Sequence, residues 1–235
     1  MANSSLQVIG MVLSTIALLC TTLAVILPEW RRNDPKGEVI EAVIRHQGIW
    51  LRCTSYSTGI WQCDDFDAFF LGLPTRLQVA RGLAICSVVF GFFAIMLSIF
   101  GMECTKCIES NPRTKCRVAM IAAGFYLASA LSIGIAVSYY ASQVAQEYTA
   151  STILIAVSDL GQRYVFGSSL FLGWGAMAVG LLGGAIMMCG SFYVEQEEDE
   201  YWNKGRVGRG VRRVRSSFRQ SFRGRPIISK DTDYV

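Results

Sequence analysis

Gly48-Ile49-Trp50-Leu51-Arg52-Cys53-Thr54-Ser55-Tyr56-Ser57-Thr58-Gly59-Ile60-Trp61-Gln62-Cys63 is the stretch whose reading decides the fold, with Trp30 standing twenty residues upstream of Trp50. It is a polar run carrying tryptophans and two cysteines, and it lies between two uncharged segments, 6–27 and 82–102, each long enough to cross a bilayer. Cys53 and Cys63 are the pair placed to meet an oxidising compartment. A disulfide between them would close a small loop and stabilise the fold by roughly 2–3 kcal/mol through the restricted unfolded chain.

The distribution of charge settles the class. The 235-residue chain is 52% hydrophobic, high for a soluble protein. Residues 6–27, 82–102, 118–140 and 166–189 contain no Asp, Glu, Lys, Arg or His. A helix needs about 20 residues, at ~1.5 Å each, to cross ~30 Å of hydrocarbon. One such run fits a buried helix of a large protein. Four, with every charge in the segments between them, fit a four-span membrane protein. The first is read as an uncleaved signal-anchor, because residues 1–5 lack Lys and Arg and the apolar run exceeds the roughly 7–15 residues of a signal peptide.

Lys106, Arg113, Lys115 and Arg117 follow the second run, and ten further basic residues lie within 204–230. The preference of Lys and Arg for the cytoplasmic side then puts both termini in the cytoplasm and the loops 28–81 and 141–165 outside. Cys104, Cys107, Cys116 and Cys189 fall in or beside reducing cytosol, while Cys20 and Cys86 sit within spans as small packing residues.

The first outer loop is too long for a connector. Val39, Val43, Ile44, Ile49, Trp50, Ile60 and Trp61 alternate with turn formers such as Asn33-Asp34-Pro35 and Ser57-Thr58-Gly59, which predicts strands and a hairpin between the cysteines. Phe66, Phe69 and Phe70 have helical spacing, so 64–73 is expected to be a helix stopped by Pro74. In the second loop the β-branched run 152–157 is expected to add a strand. The fold class is therefore mainly α: a four-helix transmembrane bundle with a small extracellular antiparallel sheet from the two outer loops. Gly180-x3-Gly184 fits close helix contact inside the bundle. Residues 1–192 form one four-span domain. Residues 193–235, acidic over 195–200 and basic over 206–225, read as a disordered cytoplasmic tail.

Catalysis finds little support. His46 is the single histidine, placed in an exposed loop, with no neighbouring ligand spacing for a metal and no phosphate-binding glycine loop in the chain. No ionisable residue falls within the four runs, which argues against a transporter with a charged site at the membrane midplane. We expect no enzyme, no cofactor, no metal and no nucleic-acid partner; a polar path would have to run along the outer loops.

The Trp30, Gly48-Ile49-Trp50, Cys53 and Cys63 pattern resembles the first extracellular loop of the claudins, the tight-junction proteins, with isoleucine where their Gly-Leu-Trp has leucine. Leu73-Pro74, Leu77-Gln78 and Ala80-Arg81 resemble the family's entry to its second span, with Arg81 at its basic position. Gly101-Met102-Glu103-Cys104-Thr105-Lys106-Cys107 resembles the segment after that span. Arg163-Tyr164-Val165-Phe166-Gly167 with Leu170-Phe171-Leu172-Gly173-Trp174 resembles the entry to the fourth, and the final Tyr234-Val235 matches the family's end. The resemblance implies a strand component that assembles with itself and other claudins in cis and trans, at tight junctions of the plasma membrane. It would form a paracellular barrier or a cation-leaning paracellular ion channel. The alternative is an auxiliary subunit of another membrane protein, since related four-span families share the loop-one pattern.

The resemblance also implies roles. Asp64, directly after Cys63, stands where claudin residues are associated with pore charge. At an effective dielectric of ~20, a cation ~4 Å from a carboxylate gains up to about 4 kcal/mol, and a third of that biases cations over anions about tenfold. The competing reading is that Asp64 and Asp65 cap the following helix. Tyr148 keeps one aromatic of the family's loop-two contact for trans pairing, although the usual Asp-Pro is replaced by Ala150-Ser151. Trp30 and Trp50 are expected to anchor the sheet at the membrane interface, where indoles keep one apolar and one wet side. Trp61 stands where smaller residues are usual. Cys104 and Cys107, just inside the second span, are candidates for palmitoylation, and the basic tail for contact with anionic lipid. Tyr234-Val235 is a candidate ligand for a PDZ scaffold, its carboxylate held by backbone amides and its valine in a pocket.

Overall fold

The fold is described from a computed structural model covering residues 2–33, 43–66, 72–101, 112–158, 164–193 and 196. In chain order the elements are α1 (Ala2–Ile26), β1 (Arg31–Asn33), β2 (Val43–Gln47), β3 (Leu51–Tyr56), β4 (Trp61–Asp65), α2 (Thr75–Gly101), α3 (Pro112–Ser158), β5 (Tyr164–Phe166) and α4 (Ser168–Tyr193). All four helices are long and apolar enough to cross a membrane. Large apolar side chains face outward around them, among them Ile9, Val12, Ile16, Leu19, Phe92, Phe93, Leu131 and Leu182. An inside-out distribution of this kind is what lipid as a solvent allows.

Small residues fill the seams between helices, because hydrocarbon supplies no hydrophobic push and only close backbone approach gains dispersion contact. A Cβ on Gly10 would meet the Met187 nitrogen at 2.6 Å, and one on Gly180 would meet the Ala130 Cβ at 2.9 Å. Gly180 and Gly184 of α4 thus pack inside the bundle, as their spacing predicts. Ser87 and Ser129 lock α2 to α3 reciprocally, each hydroxyl donating to the other's carbonyl at 2.8 Å.

The strands form one antiparallel sheet in the order β4-β3-β2-β1-β5. Its fifth member comes from the residues just before α4, pairing Arg31 with Phe166 and Asn33 with Tyr164. The β3–β4 turn closes through Gly59, at φ +80°, where a left-handed backbone suits glycine. The sheet caps the end of the bundle where α1 finishes, α2 starts, α3 finishes and α4 starts.

Four expectations change. The run 152–157 is helical, since α3 continues to Ser158; β-branched propensity there yields to an unbroken helix with no Gly or Pro after Pro112 except Gly124 and Gly134. The helix expected over 64–73 does not begin at Asp64, because Asp64 and Asp65 belong to β4; residues 67–71 lie outside the described residues. Helix α2 starts at Thr75 rather than 82 and so carries Arg76 and Arg81. His46 sits in β2, not an exposed loop, with its side chain 10% exposed.

Candidate functional site

The sheet is fastened to the bundle by buried polar groups of the tryptophan–glycine–arginine pattern. Trp30 is fully buried, donates from Nε1 to the Ala24 carbonyl at 2.8 Å and meets Tyr140 edge-on at 5.2 Å. It plugs the top of the bundle and has no wet side, which corrects the interfacial-anchor reading for this residue. Gly48 lies against the turn after α1: a Cβ there would come within 2.7 Å of the Pro28 Cα. Its amide donates to the Leu51 carbonyl at 2.9 Å. That turn presents the Ile49 carbonyl to Arg81, whose Nε donates to it at 2.7 Å. The Arg81 guanidinium lies 4.8 Å from the Trp50 ring and 5.3 Å from Phe66, so a charge 2% exposed is matched by a carbonyl and two π-faces.

A second junction was not singled out in the sequence. Glu147, on the part of α3 beyond the expected span, accepts from Arg31 Nη1 at 2.6 Å through one oxygen and pairs with Arg76 through the other. Arg31 also donates from Nε to Gln47 at 2.7 Å and stacks over Tyr164 at 4.2 Å. One carboxylate thereby ties β1 to the starts of α2 and the end of α3. The signal was available: Glu147 is the one charged residue between Arg117 and Asp159, and it repeats at helical spacing after buried Tyr140 and Val144.

The rest of the sheet is open. Cys53 and Cys63 are bonded across β3 and β4. Every residue of β4 is exposed, including Asp64. In the β3–β4 register Asp64 pairs with Arg52, so the two side chains share one face while the disulfide lies on the other. The Arg52 guanidinium sits 4.3 Å over Phe66. Trp61 has a definite place as well: it stacks on His46, centroids 5.0 Å apart. At the opposite edge Tyr148 is exposed on α3 and lines an apolar groove of about 330 Å³ with Val144, Thr149, Tyr164 and Phe166.

No group of His, Cys, Asp or Glu that could hold a metal occurs among the described residues. Cys104, Cys107, the tail and Tyr234-Val235 lie outside the described residues. The structure thus joins Trp30, Gly48, Trp50 and Arg81 into one anchor and puts Cys63 and Asp64 on the exposed edge strand, with the buried Cys53 bonded to Cys63 from β3. Tyr148 stands apart at the other edge.

Residues 4–187 match the model of the PMP-22/EMP/MP20/Claudin family. Mouse claudin-19 is 37% identical over 190 residues, which cover 80% of this chain and 82% of that relative. Mouse claudin-1 is 33% identical and human claudin-7 30% identical over the same length, with 87% of each relative covered.

Proposed function

The chain belongs to the PMP-22/EMP/MP20/Claudin family with claudins as its relatives, a multi-pass membrane protein of the tight-junction kind, and from that premise we propose that it is a strand component whose sheet borders the paracellular space. Both termini are cytoplasmic and the sheet lies outside, a reading supported by the basic segments after the second and fourth helices and by the Cys53–Cys63 bond, which an oxidising compartment sustains. Copies assemble side by side in cis and meet those of the neighbouring cell in trans, with Tyr148 contributing to the trans contact. The strand seals the space and leaves a charge-selective ion path in which Asp64 favours cations.

The observation that carries this reading is the fully exposed β4 edge, with Asp64 held beside the disulfide on a sheet fixed to the bundle by Arg81 and Trp30. Asp64 belongs to β4, and residues 67–71, where the helix it would cap is expected, lie outside the described residues. In the cytoplasm, Cys104 and Cys107 are palmitoylated, the basic tail touches anionic lipid and Tyr234-Val235 engages a PDZ scaffold of the junctional plaque. Expression in junction-deficient epithelial cells tests the core of this. Strands should appear by freeze-fracture, transepithelial resistance should change, and Na⁺/Cl⁻ dilution potentials should fall in Asp64→Asn. Absence of strands would reject it.

A further inference from the structure

Asp64 stands at the edge of the sheet, so it has a cross-strand neighbour on one side only. That neighbour, in register, is Arg52. Directly opposite residues of an antiparallel pair project from the same face with Cβ atoms about 4.5–5.5 Å apart. The next pair along is Cys53–Cys63, so a covalent bond keeps the two strands from parting and holds the two Cβ atoms at that spacing, while the Arg52 guanidinium lies over Phe66 rather than in an ion pair with Asp64. Phe66 restrains Arg52 further, since its ring lies under the guanidinium and comes two residues after Asp64 on the same chain.

The same face carries Arg45, which pairs with Thr54 one row farther along and is exposed. Arg31 also points to this side, but it is buried and its charge is met by Glu147. Among the described strand residues exposed on that face, two arginines therefore stand against one aspartate. The nearer one sits where its positive potential subtracts most from the field of Asp64, because Coulomb interaction falls with distance and salt screens the more remote charge.

We infer that Arg52 is a specificity-determining residue: a fixed counter-charge that cancels most of the cation preference Asp64 would otherwise impose on the ion path. The inference rests on the charge-selective strand proposed above and names a residue that the carboxylate alone does not suggest. A permeating cation meets Asp64 and Arg52 as a dipole rather than as a single negative group, and the path favours monovalent cations only weakly. The sealing character of the strand follows from that balance rather than from a missing charge.

The test is a charge cycle in junction-deficient epithelial cells, with strands scored by freeze-fracture and Na⁺/Cl⁻ permeability ratios taken from dilution potentials at low and physiological salt. Arg52→Gln should raise the ratio by about threefold or more, with a larger effect at low salt. Arg52→Lys, which keeps the charge but not the planar stack on Phe66, should stay within about 1.5-fold of the parent. Arg52→Gln combined with Asp64→Asn should fall back toward the parent. Equal ratios for Arg52→Gln and the parent, with strands intact and Asp64→Asn still lowering the ratio, would overturn the role of Arg52 and leave the strand reading standing. If neither variant shifts the ratio, the charge-selective path itself fails and Arg52 with it. If Arg52→Gln forms no strands, Arg52→Lys decides: a ratio raised as far as about threefold by Arg52→Lys would show that the charge is not what matters.

Discussion

Arg81 reaches from the second turn of α2 to the carbonyl oxygen of Ile49, donating its Nε–H across 2.7 Å from a side chain 2% exposed. A charge so deeply placed is tolerated only when its donors and its face are both occupied. Ile49 supplies the acceptor because Gly48 allows the turn to lie on Pro28, and Trp50 and Phe66 supply the faces. The tryptophan, the glycine and the arginine of the pattern are thus one joint between sheet and bundle.

Arg81→Ala should leave the Ile49 carbonyl unpaired, at about 1–3 kcal/mol, and remove two ring contacts worth about 0.5–1 kcal/mol each. Arg81→Lys should recover little, because an ammonium lacks the planar fork that donates and stacks at once. Thermal unfolding in detergent, followed with a thiol-reactive dye, should show both variants below the parent. A parental midpoint for Arg81→Lys would mean that charge alone suffices.

Glu147→Gln should weaken the other joint. Both arginines lose their carboxylate, and since Glu147 is 41% exposed the loss is screened, about 1–2 kcal/mol in all. Because one carboxylate serves both, Arg76→Gln added to Glu147→Gln should cost less than the sum of the single changes. Additive unfolding midpoints would show that Arg31 alone uses Glu147.

Cys53→Ser should release β4, the edge strand, from β3 at about 2–3 kcal/mol. The double replacement Cys53→Ser with Cys63→Ser should behave no worse than the single one, because the lone thiol left by the single change is open to mispairing. Surface labelling and freeze-fracture should show fewer strands in each. Normal strands in Cys53→Ser would reject the disulfide as a condition of assembly.

How far the chain could be read in advance depends on the range of the forces involved. Four spans follow from uninterrupted apolar length, a local property that lipid enforces absolutely. The hairpin between Cys53 and Cys63 follows from turn residues and cysteine spacing. The 152–157 run misleads because β-branching is a weak preference, easily overridden when a helix has already formed and nothing breaks it. Glu147 escapes notice because its meaning depends on Arg31 and Arg76, which are 116 and 71 residues away in sequence. The pairing of Asp64 with Arg52 has the same origin: it is a matter of register, and a slip of one residue would move Asp64 to the other face. Trp61 had no evident purpose until its stacking on His46 was visible.

Gly167 offers the cleanest test of the closure between β5 and β1. Its amide donates to the Trp30 carbonyl at 3.1 Å, and the Ser169 amide two residues on donates to the Glu29 carbonyl at 3.0 Å. A Cβ on Gly167 would collide with the Glu29 carbonyl and come 3.0 Å from the Trp30 carbonyl carbon. Both are backbone, fixed between Pro28 and the buried Trp30 ring, so no side chain can swing aside. Gly167→Ala should therefore push β5 off β1 and cost about 1–3 kcal/mol, the usual range for overpacking. Gly175→Ala serves as the comparison, because a Cβ there meets nothing within 4 Å and replaces glycine inside a helix, a change worth about 0.5–1 kcal/mol in favour of folding. The detergent unfolding midpoint should fall for Gly167→Ala and hold or rise for Gly175→Ala. If the two variants unfold alike at the parent's temperature, β5 is not held against β1 as tightly as these contacts require.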